Sequence, residues 1–194
     1  MANISSEQTI DLKNVTESIM KIPRIAKFEK VSREQFKKDV LDKMGSIFNT
    51  DEKIEVIDDI YDAIKLPVRA TKFSAGYDFF TPFSFKPNKV GGIVIPTGIR
   101  CKIEEGWVMK VFPRSGQGFK YGLHLYNTVG IIDGDYYNAE NEGHIMMKIS
   151  VKDECDIINQ GTAFCQAIFT PYGITEDDNV QTVRTGGLGS TTNK

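Results

Sequence analysis

The chain contains 194 residues, of which 40% are hydrophobic and 26% are charged, as in an ordinary globular protein. Its net charge of -2 excludes a global positive field for nucleic acid, so an anionic ligand has to be held by local arginines and backbone amides. No apolar run approaches the ~20 residues of a membrane span and no signal peptide is visible, so we expect a cytoplasmic protein without a membrane partner.

A helical hairpin is predicted near the N-terminus. Residues 1–21 are polar and predict a weak helix or a partly ordered arm, and residues 22–29 predict a short strand. Ser32 and Gln35 have the spacing of a capping box, with Ser32 as the N-cap. Two series of apolar residues follow at helical spacing: Phe36, Val40, Met44 and Ile47, then Ile54, Ile57, Ile60, Tyr61 and Ile64. Residues 32–64 therefore predict two packed helices.

From Leu66 onward, short β-rich runs alternate with turn residues. The runs are Val90–Arg100, Trp107–Phe112, Gly122–Tyr126, Ile145–Val151 and Ala163–Thr170. Short strands at such spacing predict an all-β barrel or sandwich. The tail from Thr185 has too few apolar groups to pack and is predicted to be mobile.

The three cysteines predict no metal site and no disulfide framework. Cys101, Cys155 and Cys165 are widely spaced, odd in number and outside any zinc-ligand spacing. We expect buried or half-buried thiols.

Five segments contain residue types suited to a phosphorylated ligand. They are SAGYDF (74–79), PRSGQG (113–118), NTVGIIDGDYY (127–137), GTAFCQ (161–166) and RTGGLGST (184–191). In PRSGQG, the glycines let backbone amides approach an anion, Ser115 supplies a hydroxyl and Arg114 supplies charge. In the third segment, Asp133-Gly134-Asp135 favours a hairpin turn. Each segment by itself also fits an ordinary turn, and a carboxylate at a hairpin tip is usually only a turn former.

The order and approximate spacing of these five segments resemble the motifs of the trimeric dUTPase family, over residues 65–194. The resemblance implies a mainly β, jelly-roll-like barrel and a homotrimer with active sites at the subunit interfaces. It also implies hydrolysis of dUTP to dUMP and pyrophosphate, with Mg²⁺ held by the substrate phosphates rather than by the protein. The chain would divide into an arm, first strand and helical insertion (1–64), a β core (65–183) and a glycine-rich lid arm (184–194).

The resemblance assigns a role to each matching residue. Asp133 matches the general base that activates the attacking water. The phosphate contacts match Arg114, Ser115, Gly116 and Gln166, and Asp78 matches a residue with a more structural role. The uracil pocket matches Asn127, the backbone of Gly130, Ile131 and Ile132, and Met146. Tyr136 matches the ring that packs under deoxyribose and leaves no room for a 2′-hydroxyl.

The closing arm matches Arg184, which would pair with the terminal phosphate, and the run that includes Leu188, Gly189 and Ser190. Leu188 stands where the family has a phenylalanine that stacks over uracil, so we expect the lid to grip the base less well. A dCTP deaminase of the same fold is disfavoured because Gly134 follows Asp133 and no glutamate lies in the required place. Phage dUTPases that bind repressor proteins leave open a protein partner at residues 32–64 or 138–142, although packing over the barrel is the simpler interpretation of 32–64.

Overall fold

The computed structural model describes residues 22–45, 48, 51–182, 184, 186 and 187. Residues 1–21 and most of the tail after Thr185, with the predictions made for them, lie outside this part. The described strands are β1 (Ala26–Lys30), β2 (Val68–Arg69), β3 (Tyr77–Phe80), β4 (Ile93–Pro96), β5 (Ile99–Ile103), β6 (Trp107–Pro113), β7 (His124–Leu125), β8 (Gly130–Ile132), β9 (Met146–Ser150) and β10 (Ala163–Pro171). The helices are α1 (Arg33–Met44), α2 (Asp51–Ala63), α3 (Ser115–Tyr121) and a 3₁₀ helix (Gly134–Asn138).

The described strands form three antiparallel sheets, which confirms the mainly β prediction. Their orders are β2-β3-β10-β6-β8, β4-β9-β7 and β1-β5. In the largest sheet, β10 lies between β3 and β6, while β8 pairs with β6 at the edge. This one sheet therefore carries parts of four of the five segments singled out in the sequence.

Two helices, α1 and α2, lie where the sequence predicts a helical hairpin. The Ser32 hydroxyl accepts a hydrogen bond from the Gln35 amide (3.1 Å), so Ser32 caps α1. The apolar positions predicted for the two helices are buried in the same hydrophobic cluster as the strands: Phe36, Val40, Met44, Ile57, Ile60 and Ile64. Ile47 and the side chain of Ile54 lie outside the described part. Gly98, with φ +73°, lets the helices approach the sheet closely, because a Cβ there would collide with Ile64.

Several predicted strand boundaries are wrong. Val90–Arg100 is not one strand, because the chain takes a left-handed conformation at Gly98 and divides into β4 and β5. The strand predicted from Ile22 begins only at Ala26. Gly122–Tyr126 shortens to β7, because Gly122 is the left-handed C-cap of α3.

The three cysteines are free and buried, as predicted. Burial raises the pKa of Cys101 to about 12, so its thiol stays protonated at neutral pH. Among the described residues, no helix combines the length and apolar character needed to cross a membrane.

Candidate active site

The segment after β6 forms helix α3 and not the ordinary turn that its sequence also fits. Arg114 is the N-cap of α3, and its carbonyl accepts hydrogen bonds from the amides of Gln117 and Gly118 (both 3.0 Å). Like the first amides of any helix, those of Ser115 and Gly116 have no carbonyl acceptor within the helix. Both residues are exposed. The end of β6 therefore leads into exposed backbone donors that follow Arg114 in the chain.

Three predicted site segments meet at this point. Arg114 Nη2 lies 3.3 Å from Asp78 Oδ2, with 44% and 14% of the two side chains exposed. Asp78 is the register partner of Gln166, whose Nε2 donates to the Pro113 carbonyl at 3.4 Å. A Cβ at Gly76 would lie 2.6 Å from Gln166 Oε1, so a larger residue there would have to displace the end of the Gln166 side chain. We call Asp78, Arg114, Ser115 and Gln166 the Arg114 cluster.

Asp133 lies at the end of β8, but the hairpin predicted around it is not present. Instead, Asp133 is the N-cap of the 3₁₀ helix, and its carbonyl accepts a hydrogen bond from the Tyr136 amide (3.2 Å). Gly134 packs so closely on β5 that a Cβ would lie 3.1 Å from the Ile103 carbonyl oxygen. The Asp133 side chain makes no capping bond and is 56% exposed. Its carboxylate is thus accessible to solvent.

Tyr136 and Arg184 lie beside Asp133. Tyr136 is buried, and burial raises the pKa of its phenol, which remains a neutral hydrogen-bond donor. The Arg184 guanidinium carbon lies 4.8 Å from the centroid of the Tyr136 ring. Its Nη1 lies 3.5 Å from Asp133 Oδ2 and 3.9 Å from Asp135 Oδ1. The structure therefore brings the third and fifth segments together.

The remaining predicted residues lie along β8 and β9. Gly130 pairs with Val111 and Ile131 with Lys110, while Asn127 lies in the exposed turn before β8. Met146 is half-buried at the start of β9. The predicted lid residues Leu188, Gly189 and Ser190 lie outside the described part of the chain.

Asp133 and Arg114 lie near opposite ends of the β6–β8 pair. Ile132, which precedes Asp133, pairs with Met109. Arg114 follows Met109 by five residues, and an extended strand rises about 3.3 Å per residue, so the two points are about 16 Å apart. Within one chain, the backbones of Asp133 and Arg114 are thus separated by about five residues of extended strand.

Sequence reasoning missed Asp39, Glu142 and His144, and it assigned Ser32 only the role of a helix cap. Ser32 binds Glu142, and Asp39 binds His144, across 110 and 105 residues of chain. The Ser32 cap and the long 138–142 loop are visible in the sequence. A single sequence carries no signal that pairs them.

A metal-binding cluster is not formed by the described residues: none of their groups of histidine, cysteine, aspartate or glutamate could hold an ion with three or more ligands. In the Arg114 cluster, the single carboxylate, that of Asp78, is already paired with Arg114.

Comparison with known proteins identifies related sequences and related structures. The sequence model of the dUTPase family matches residues 62–192. The deoxyuridine 5′-triphosphate nucleotidohydrolase of Lactococcus lactis subsp. lactis is 40% identical over 134 residues, which span 66% of this chain and 88% of that protein. That of Dictyoglomus turgidum is 34% identical over 138 residues, spanning 66% and 90%. The crystal structure of dUTPase from Streptococcus mutans superimposes with a TM-score of 0.51 at 36% identity, covering 57% of this chain and 88% of that one.

Proposed function

The chain belongs to the dUTPase family and hydrolyses dUTP, and we propose that Asp133 is the general base that activates the attacking water. Its carboxylate is exposed, makes no capping bond and follows a strand that is paired with β6. A carboxylate held in this way can accept a proton from a water hydrogen-bonded to it. The products would be dUMP and pyrophosphate.

The sites are built between subunits of a homotrimer in this proposal. The observation that carries it is the separation of about 16 Å along β6 between the Asp133 and Arg114 ends. The water attacks the α-phosphate, while Arg114 stabilises charge on the leaving pyrophosphate bonded to it. In this proposal, Asp133 of one subunit and Arg114 of another serve these neighbouring groups.

The Arg114 cluster supplies the phosphate side. Its arginine, the exposed Ser115 hydroxyl and the first amides of α3 are donors suited to phosphate oxygens. Magnesium fits this set as an ion that arrives with the triphosphate, because it keeps waters and phosphate oxygens as ligands and Asp78 is already paired with Arg114. When bound, Mg²⁺ would neutralise charge on the phosphates. Arg184 would move from Asp133 to the terminal phosphate.

The base is read by β8 in this proposal. Among the described strands, β8 is the last of its sheet, so along Gly130–Ile132 the N–H and C=O groups of alternate residues bond β6 or point to the free edge. Uracil offers two carbonyls flanking an N–H, which such an edge can pair. Cytosine would leave buried groups unpaired, and the methyl group of thymine would clash in a tight pocket. Asn127 and Met146 would complete the pocket.

Mixed trimers test the shared site. Arg114→Ala and Asp133→Asn chains are each expected to be inactive, and equal amounts are unfolded together and refolded. If Asp133 and Arg114 come from different subunits, about one quarter of the sites in random trimers contain both groups. Activity should therefore rise to about a quarter of the wild-type level. The control mixture contains wild-type chain and a chain with both substitutions. Absence of recovery, with trimers present by size-exclusion chromatography, would refute the shared site.

A further inference from the structure

Residues 139–144, which follow the 3₁₀ helix, are bound to the N-terminus of α1. The Ser32 amide and hydroxyl both donate to the Glu142 carboxylate, at 2.7 and 2.6 Å. In a capping box, the side chain three residues into the helix binds the N-cap amide. Here that side chain, Gln35, instead donates to Asp39 Oδ2 at 2.8 Å. Glu142 therefore completes the helix cap from the other end of the chain.

The second attachment is the buried pair Asp39–His144. His144 is fully buried, and its Nδ1 lies 2.5 Å from Asp39 Oδ2. The Gly98 amide donates to His144 Nε2 at 2.7 Å, so Nε2 carries no proton and Nδ1 donates to Asp39. Both ring nitrogens are thus engaged, which sets the orientation of the imidazole. Burial raises the pKa of Asp39, but the hydrogen bonds from His144 and Gln35 prevail and hold that pKa below its usual value.

The attached segment also holds Tyr136. The Tyr136 hydroxyl donates to the His144 carbonyl at 2.8 Å and accepts from Asn141 Nδ2 at 2.9 Å. His144 is itself one of the two anchored residues, and Asn141 directly precedes the other, Glu142. A Cβ at Gly187 would lie 3.3 Å from Asn141 Cγ, so the arm also reaches this segment.

We propose that Ser32 and Asp39 are positioning residues for the sugar side of the dUTP site. They anchor Glu142 and His144, and these anchors set the place of the Tyr136 ring. The proposal rests on the assignment of Tyr136 to deoxyribose. It gives helix α1, which precedes the range matched by the family model, a part in excluding ribonucleotides.

Rejection of a 2′-hydroxyl is the sensitive readout, because it depends on where the ring lies and not merely on whether the protein is folded. Displacement by about 1 Å costs up to 10²-fold in a preorganised site. We therefore measure kcat/KM for dUTP and for UTP, and take their ratio as the selectivity. In Asp39→Ala, His144 loses its acceptor, and the selectivity should fall at least about tenfold.

Two matched variants separate positioning from stability. Asp39→Asn keeps an oxygen that can accept from both His144 and Gln35, so it should restore most of the selectivity. Val40→Ala shortens the neighbouring buried residue of α1 and should lower the Tm while leaving the selectivity at the wild-type value. An equal loss of selectivity in Val40→Ala at matched Tm would overturn the proposal.

A second variant, which removes the other attachment, keeps the proposal testable if Asp39→Ala does not fold. Glu142→Ala removes the acceptor of both Ser32 bonds at a partly exposed side chain and should also lower the selectivity. Wild-type selectivity in every folded variant that breaks an anchor would overturn the proposal.

Tyr136→Ala tests the assignment on which the proposal rests. Its selectivity should be lost. If Tyr136→Ala keeps the selectivity, that assignment and the proposal fall together. If Tyr136→Ala loses it while folded Asp39→Ala and Glu142→Ala keep it, the anchoring alone is refuted.

Discussion

The Arg114 cluster and the segment 134–144 are built in different ways. Arg114 and Ser115 are exposed at a sheet end, and Arg114 makes a 3.3 Å ion pair with the half-buried Asp78. Tyr136 and His144 are buried; His144 donates a hydrogen bond to Asp39 of α1, and Tyr136 accepts one from Asn141.

This difference corresponds to two kinds of recognition. A polyphosphate carries several charges, and exposed flexible donors can adapt to it in water. Exclusion of a single hydroxyl requires a ring in one place, and burial with paired polar groups supplies that. The matched family range starts at residue 62, so the support behind the ring comes partly from chain outside it.

Replacing Asp133 should have the largest effect of these changes: it should slow the chemical step while leaving phosphate binding intact. In Asp133→Asn, kcat should fall by about 10²–10⁴-fold because the proton acceptor is lost. The Kd for dUTP should stay near the wild-type value, because the Arg114 cluster is intact. Steady-state pyrophosphate release and calorimetric titration measure the two quantities. Asp135→Asn is the control, since that carboxylate also lies near Arg184; an undiminished rate in Asp133→Asn would rule out the assignment.

Truncation after Val183 removes the arm that contacts the Asp133 side. The lost guanidinium lies beside Asp133 and the Tyr136 ring. We expect kcat to fall at least about tenfold, since charge stabilisation and water exclusion are both lost. Size-exclusion chromatography should show an intact trimer. Arg184→Ala in the full-length chain should reproduce part of the loss, whereas an unchanged kcat after truncation would mean that the arm is not a lid.

Leu188→Phe tests whether the lid covers the base incompletely because it has a leucine where the family has an aromatic ring. An aromatic ring over uracil should raise kcat/KM about three- to tenfold through stacking. Leu188→Met, which keeps the size without a ring, should leave kcat/KM close to wild type. No gain with phenylalanine would indicate another way of covering the base.

The smallest expected effect is a loss of stability in acid, where the hydrogen bonds between Ser32 of α1 and Glu142 weaken. Burial raises the pKa of Glu142, but the hydrogen bonds from Ser32 and the charge of Arg100 prevail and hold it below its usual 4.5. The stabilisation is therefore complete above the unfolded pKa and is lost as pH falls through the folded value. Urea unfolding should show that Glu142→Gln is less stable than wild type at pH 7.

The same pair of proteins should converge in stability as the pH is lowered below 4.5. Because both proteins contain Asp39, the difference between their free energies of unfolding reports on Glu142 alone. A gap in the free energy of unfolding that does not change with pH would contradict the ionic anchor.

Local patterns predicted much of the architecture. Ser32 caps α1 because a hydroxyl at that position satisfies a helix amide, and Phe36, Val40 and Met44 are buried because their spacing places them on one face. Local patterns predict neither the helix after Arg114 nor the 3₁₀ helix after Asp133. Glycine-rich segments favour turns locally, and the close packing of Gly134 on the Ile103 carbonyl lies outside any short-range pattern.

The sequence by itself determined the order of the site segments, the helical hairpin and the mainly β core, because these depend on neighbours along the chain. The tertiary structure alone decided that Asp78, Arg114 and Gln166 meet at one sheet end, that Asp133 lies near the other end, and that α1 holds the segment behind Tyr136. Those relations join residues up to 110 positions apart. They depend on strand register and on the pairing of buried polar groups, which only the folded chain establishes.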